Sequence, residues 1–188
     1  MKRLAPFAIL LAAPLALAHR PAPADEELLI DKPAISHVVG GEFVTGDEVF
    51  RVVLDYEQPF AMPMEIMVPR APELEDHRPA FALVGPGFPE PTAEQLAFLP
   101  MEVPEGHGVM IEYNDEEERP VYFERVMRRT MLTSGSVAVH FPEAGVHEVW
   151  IFSPDFTVGE FWYGFGVEED FSGGGWGPIF AEWDLFGW

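Results

Sequence analysis

Residues 136–152 read SVAVHFPEAGVHEVWIF, and this stretch decides the fold class. Val137, Val139 and Phe141 would share one face of an extended chain, while small or polar residues occupy the other face. The second half, 145–152, is a run of β-branched and aromatic residues that suits a half-buried strand. Pro142 and Gly145 stand between the halves as turn residues. The stretch therefore predicts two consecutive β-strands, each with one side facing a core.

Similar short runs, each bounded by Gly, Pro, Asp or Asn, occur along the rest of the chain. With the two above, eight strands are predicted, at 35–39, 48–56, 64–68, 81–84, 108–113, 136–141, 145–152 and 159–167. The 19 prolines leave little room for helices, so we expect under about 10% helix. This pattern predicts an all-β protein, an antiparallel, jelly-roll-like β-sandwich over residues 31–168. The predicted core is Phe50, Val52, Leu54, Ile66, Val68, Phe81, Leu83, Val109, Ile111, Val137, Val139, Trp150 and Phe152.

A long connection, residues 85–105, interrupts this series of strands. Residues 92–97 could form one helical turn, with Thr92 as its cap. Long loops in compact domains are either functional or packed by their own side chains. Phe88, Leu96, Phe98 and Leu99 favour a loop that folds back on the core, and a binding loop is the alternative.

The N-terminus has the order of a secretory signal peptide. A basic start is followed by an apolar run at 4–15 and by the small-residue site Ala16-Leu17-Ala18. The run is too short to span a bilayer, and no later stretch is long enough, so no transmembrane span is expected after processing. We therefore predict export to the periplasm or beyond, cleavage after Ala18 and a mature chain beginning at His19. Residues 19–30 are rich in proline and acid, and are predicted to be a flexible, extended leader outside the core.

The charge balance limits the partners. The chain has 11 basic and 32 acidic residues, a formal net charge of −21, and loses Lys2 and Arg3 with the signal peptide. Nucleic acid and anionic lipid are poor partners for such a chain. Cysteine is absent, so disulfides, thiol catalysis and thiolate metal sites are excluded.

Residues 145–166, GVHEVWIFSPDFTVGEFWYGFG, resemble the closing hairpin of pre-peptidase C-terminal-like domains. In that family a glycine-led strand is followed by a loop and by a strand of the form Gly-x-aromatic-x-hydrophobic. Residues 81–89 and 99–111 are similar to segments of exported proteins of the same general build. The resemblance implies a secreted, jelly-roll-like sandwich that acts as an accessory, adhesion or binding module, and it transfers no catalytic residue.

Histidines are the candidate metal ligands. His19 at a processed N-terminus would offer an α-amine and an imidazole, a chelate that suits copper. This start is similar to that of copper-dependent polysaccharide monooxygenases and small periplasmic copper carriers. His37, His107, His140 or His147 could supply a second imidazole. His140 and His147 are expected on adjacent strands, where they could face each other and pair with a nearby glutamate.

Other chemistry receives less support from the sequence. The acidic runs 73–76, 115–118 and 168–170 lack the spacing of a calcium loop, so solvated loop tips are expected, with calcium as the alternative. Ser134 is not in a Gly-x-Ser-x-Gly elbow. Paired carboxylates for glycoside hydrolysis are defined by distance, which a sequence does not supply. The sequence leans against an enzyme without deciding the matter.

The C-terminal segment, 169–188, changes character to glycine and aromatic residues. Five large aromatic side chains follow a Gly-Gly-Gly joint, at Trp176, Phe180, Trp183, Phe186 and Trp188. They could pack on the sandwich, or form an exposed patch that docks a protein or the cell envelope. Taken together, the sequence predicts an exported, non-catalytic β-sandwich for binding or envelope association. The alternative is an extracytoplasmic copper-binding protein or copper enzyme that uses His19.

Overall fold

A computed structural model describes residues 20–24, 27–30, 32–124 and 127–168. The predicted signal peptide, His19 and the whole C-terminal segment 169–188 lie outside these ranges. The described chain is almost entirely β, and its helical residues form one α-helix and one short 3-10 turn at Pro72–Leu74. The all-β prediction is confirmed. None of the described helices has the length and apolar character needed to cross a membrane.

The strands form two facing sheets, as expected for a sandwich. In chain order the elements are β1 (Arg20–Pro23), β2 (Glu27–Ile30), β3 (His37–Phe43), β4 (Val49–Tyr56), β5 (Phe60–Pro69), β6 (Ala80–Gly85), α1 (Ala93–Phe98), β7 (Gly108–Glu112), β8 (Val121–Glu124), β9 (Arg129–Thr133), β10 (Val137–Phe141), β11 (Gly145–Phe152) and β12 (Gly159–Phe165).

The seven-stranded sheet has the order β1-β3-β12-β5-β9-β8, and β10 also pairs with β5. Strand β5 is ten residues long, so β10 and β9 can pair with successive parts of it. The five-stranded sheet has the order β2-β4-β11-β6-β7. Pairing is antiparallel except for β1 with β3 and β2 with β4.

The main core lies between the sheets and takes alternate residues from each strand. All the predicted core residues are buried except Phe50 and Val137, which are half-buried against the core. A second cluster covers the outer face of the five-stranded sheet. It includes four of the predicted core residues: Val109, Ile111, Trp150 and Phe152.

The long connection after β6 packs on that outer face, as the sequence favoured. Phe98 and Leu99 cover the small side chains of β6 and the ring of Phe152, whereas Leu96 is half exposed. Phe88 instead joins the main core. The helical turn is α1, and Thr92 and Gln95 form a reciprocal capping box at its start.

Two predictions about chain organisation need correction. Residues 20–23 and 27–30 of the predicted leader are not outside the sandwich, because they form β1 and β2 at the edges of the two sheets and Ile30 is buried. The proline and acidic residues around them hide the alternating pattern of Leu28 and Ile30 in the sequence. Pairing of β2 with β4 places both side chains against the main core. The sequence pattern does not predict β8 and β9, because the arginines between and within them dilute their apolar pattern.

Candidate functional site

The predicted site residues differ in what the structure says of them. His19 lies outside the described residues. So do the aromatic residues of the C-terminal segment, which are Trp176, Phe180, Trp183, Phe186 and Trp188. Their predicted roles in copper binding and in docking therefore stay predictions. The remaining candidates are the histidines of the sandwich and the acidic runs.

His140 and His147 do not lie on adjacent strands, so the expected pairing across a hairpin is wrong. β10 belongs to the seven-stranded sheet and β11 to the five-stranded sheet, and the connection at 142–144 crosses between them. His140 is exposed, whereas His147 is fully buried in the core. The alternation is the cause, because Phe141 and His147 both point inward and leave His140 outside. Strands β11 and β12 also lie in different sheets, although they belong to the segment 145–166 that resembles a closing hairpin.

The surroundings of His147 suit a structural role. Its Nδ1 lies 3.1 Å from the carbonyl oxygen of Gly145, and its Nε2 lies 3.3 Å from that of Pro86. The ring packs edge-on against Phe141 and Phe88. A Cβ at Gly85, the last residue of β6, would lie 2.2 Å from the His147 ring, so the packing of His147 requires glycine at this position. Burial lowers the pKa of His147, which keeps the ring neutral at physiological pH.

The other candidate ligands are also dispersed. His37 is buried, stacks on Phe165 and donates from Nδ1 to the carbonyl of Ile35. The ring of His107 is half-buried, with Nδ1 3.4 Å from the carbonyl oxygen of Glu105. Within the described ranges, no three His, Asp or Glu side chains come together as a metal site. The copper and calcium alternatives stay predictions, which metal analysis of the processed protein tests.

A different site appears on the outer face of the seven-stranded sheet, the side away from the core. The outward positions of β12 are Glu160, Trp162 and Gly164, so the strand has no side chain at its last outward position. Val38 on β3 and Glu65 on β5 pair with Gly164 from either side. The missing side chain leaves a trough between them. This trough is the floor of the cavity that we call the outer-face pocket.

The β8–β9 hairpin forms the far side of this pocket. Tyr122 and Met127 pack with Met67 and Trp162 in a small cluster of their own. The hydroxyl of Tyr122 donates to the sulfur of Met67. The cavity has a volume of about 160 Å³, and its lining includes Val38, Glu65, Met67, Tyr122, Glu124, Met127 and Gly164.

Two carboxylates give the pocket its charge. Glu65 accepts a hydrogen bond of 3.0 Å from the hydroxyl of Thr133, which fixes its position on the sheet. Burial raises the pKa of Tyr122, and the nearby carboxylates of Glu65 and Glu124 raise it further. The phenol therefore stays protonated, and both acids act on the same small volume. The pocket thus combines thioether and aromatic surfaces with negative charge.

An ion pair holds the hairpin in place beside the pocket. Arg129 on β9 donates to both carboxylate oxygens of Glu160, at 2.7 Å each. Glu160 also accepts from the indole nitrogen of Trp162 at 2.6 Å. Trp162 lies over Gly40, where a Cβ would be 2.4 Å from the ring. The wall of the pocket is therefore fixed by side chains that do not line it.

No pattern in the sequence points directly to Tyr122, Met127 or Glu65, because Glu65 is far from the other two in the chain and β8 is not predicted. One signal was available in residues 159–166, GEFWYGFG. Phe161 and Tyr163 face the core, so glycine at 164 falls on the outer face and marks a gap there.

No protein-family model matches the chain, and the curated proteins contain no significant relative. The resemblance to pre-peptidase C-terminal-like domains therefore stays a prediction.

Proposed function

We propose that the protein is an exported, non-catalytic binding module whose outer-face pocket holds a small organic cation. The single observation that carries this proposal is the convergence of Glu65 and Glu124 on a cavity walled by Tyr122, Met67 and Met127. Carboxylates attract a positive group, while thioethers and an aromatic ring contact its apolar part. The formal net charge of −21 draws cations toward the surface.

The size of the pocket limits the ligand. A volume of about 160 Å³ lies below the range typical of drug-sized ligands, so a compact group such as an alkylammonium fits better than a sugar chain. No histidine, lysine or arginine is among the described residues that line it. The lining thus offers apolar contacts and negative charge, which suit the binding of a small cation.

A matched pair of ligands tests the proposal by isothermal titration calorimetry. Choline and 3,3-dimethylbutan-1-ol have nearly the same shape, but only choline is charged. We expect choline to bind at least tenfold more tightly than the alcohol. Equal affinities would show that the carboxylates have no role, and no binding of either would refute the ligand class.

Two variants locate the binding. Glu65→Gln removes one charge from the pocket, and we expect choline affinity to fall about tenfold or more. Glu42→Gln is the control, because Glu42 is an exposed acid on the same sheet and outside the lining. Gly164→Ala should keep the fold, since its Cβ would lie 3.5 Å from Met67 Cε, an ordinary contact. It narrows the trough, so choline should bind more weakly.

Export and envelope association form the second part of the proposal. They are supported by the composition of residues 1–18 and by the aromatic side chains of 169–188. N-terminal sequencing of exported protein should begin at His19. Deletion of 179–188 should reduce recovery with the envelope fraction without changing thermal stability. A large loss of stability would instead indicate that the segment packs on the sandwich.

A further inference from the structure

A second cavity lies near the end of the sandwich where β5 leaves the sheet. Its volume is about 430 Å³, and three arginines line it: Arg70, Arg78 and Arg119. The whole chain has only 11 basic residues against 32 acidic ones. Three of those 11 therefore converge on one concavity, which we call the arginine cavity.

These arginines differ from two others in the fold. Arg51 forms ion pairs with Glu27 and Glu148, and Arg129 forms one with Glu160. In the described part of the chain, the three cavity arginines have no carboxylate oxygen within 4.0 Å. Their positive charge is therefore not neutralised by direct contact, although acids are abundant nearby.

Backbone carbonyls fix two of the guanidinium groups instead. Arg119 donates from Nη1 to the carbonyl of His77 at 2.9 Å, and from Nη2 to the carbonyl of Glu75. Arg78 donates to the carbonyl of Glu116 at 2.7 Å. A carbonyl oxygen satisfies an N–H group without cancelling the charge. The side chains are thereby held in place before any ligand binds, which lowers the entropy cost of binding.

The two fixed charges also repel each other. Burial lowers the pKa of Arg119, and the neighbouring Arg78 lowers it further, while the more distant charges of Asp76 and Glu75 act in the opposite sense. An anion placed between them would relieve this repulsion and could accept two parallel N–H hydrogen bonds.

The rest of the lining indicates what kind of anion fits. Val121 and Leu132, paired across the β8–β9 hairpin, provide an apolar wall. Glu75 and Glu117 also line the cavity and, with the net charge of the chain, oppose an extended polyanion. The volume lies within the usual range for small-molecule sites. We propose that the arginine cavity binds a small organic carboxylate, with its charged group on the arginines and its apolar body on the hairpin.

This site is separate from the outer-face pocket. Side chains alternate along β8, so Val121 faces the arginine cavity while Tyr122 faces the other pocket. The two ligand classes have opposite charge. A failure of one proposal therefore leaves the other intact, because each is tested with its own probe and variant.

Benzoate is the probe for this site, and calorimetry of the purified protein at low salt is the measurement. We expect benzoate to bind, and we expect the Arg70→Gln variant to bind benzoate at least tenfold more weakly. Arg70 is exposed and makes no side-chain hydrogen bond within the described residues, so the variant should fold normally. Arg128→Gln is the control, since it makes the same charge change at an exposed arginine outside the lining.

Three outcomes would overturn the proposal. The first is no benzoate binding at millimolar concentration. The second is equal weakening by Arg70→Gln and Arg128→Gln, which would indicate a general effect of charge. The third is binding of inorganic phosphate as tight as that of benzoate, which would show that the apolar wall has no part in recognition.

Discussion

Trp162 donates its indole N–H to the carboxylate of Glu160, two residues earlier on the same strand, over 2.6 Å. Trp150 makes the same contact to Glu148 on β11, also at 2.6 Å. An arginine from another strand completes each arrangement. The outer faces of both sheets thus carry a Glu-x-Trp unit, in which the tryptophan ring lies against the sheet and the acid joins two strands.

Glu160→Gln should loosen the β8–β9 hairpin. The change removes the charge that Arg129 contacts and weakens the hydrogen bond from Trp162. We therefore expect the free energy of unfolding to fall by about 2 kcal/mol. Urea denaturation followed by tryptophan fluorescence measures this loss. Glu57→Gln, at an exposed acid between β4 and β5 and away from Glu160, should change the free energy of unfolding by less than about 0.5 kcal/mol. Equal effects of the two changes would contradict the assigned role of Glu160.

Two glycines on neighbouring strands should respond differently to alanine. A Cβ at Gly40 would lie 2.4 Å from the Trp162 ring, whereas one at Gly164 would have only ordinary contacts. Gly40→Ala must displace the indole and should cost about 1–3 kcal/mol. Gly164→Ala should be close to neutral. Thermal melting of the two variants compares them directly, and equal melting temperatures would refute the placement of the indole.

The long connection over the five-stranded sheet should contribute to stability through Phe98. Its ring contacts those of Phe152 and Tyr113, with centroids 5.5 and 4.7 Å apart. We expect Phe98→Ala to cost about 2–3 kcal/mol and to expose the loop to limited proteolysis. Leu96→Ala, in the same helix but 50% exposed, is the matched control. Similar losses from the two changes would argue that the loop is not anchored by Phe98.

Strand β2 should be part of the folding unit. Ile30 is 5% exposed within the core, and its neighbour Leu29 is 70% exposed. Ile30→Ala should therefore cost about 2–3 kcal/mol in chemical denaturation. Leu29→Ala should cost little, and if Ile30→Ala also costs little, residues 27–30 belong to a leader after all.

Stability should depend on pH through His77. Burial, with a smaller effect from Arg119, lowers the pKa of His77 to about 4, and the residue is 2% exposed. In the unfolded chain the imidazole takes up a proton below about pH 6.5, while the folded protein keeps it neutral down to about pH 4. The neutral His77 ring therefore contributes about 3 kcal/mol to the free energy of unfolding above pH 6.5. This contribution is lost as the pH falls from 6.5 to 4.

His77→Asn tests this dependence, because an asparagine amide can replace Nδ1 in its 2.9 Å contact with Thr157. The variant should show a flatter dependence of melting temperature on pH between 6.5 and 4. His140→Asn, at an exposed histidine, should leave the dependence unchanged. An unaltered slope in His77→Asn would assign the effect to other groups, such as His147.

Within the predicted strands, alternation was enough to predict which residues face a core. Val139 and Phe141 are buried as their spacing indicates, and the Thr92 cap followed from local composition. Period-two alternation does not tell which sheet a strand joins, however. The sequence therefore predicts one hairpin for His140 and His147, although β10 and β11 lie in different sheets.

Both cavities escaped prediction for a related reason. Their walls come from residues far apart in sequence, as in the bond between Glu65 and Thr133. Arg70, Arg78 and Arg119 are also scattered, and nothing in their local sequence indicates that they converge. The pairing of β9 with β5 brings Leu132 beside the end of β5, and the bonds from Arg119 to the carbonyls of His77 and Glu75 bring the other segments together.

The β8–β9 hairpin is a wall shared by both cavities, because Tyr122 lines one and Val121 lines the other. β8 is the edge strand of its sheet and, among the described strands, pairs with β9 alone, so a molecule that packs against one side of β8 also restrains the other side. Thermodynamic linkage would make such an influence reciprocal: if the proposed cation raises the affinity for the proposed carboxylate, the carboxylate raises the affinity for the cation by the same factor. The two sites would then respond to the product of two concentrations, and the protein would retain its ligands best where both are present.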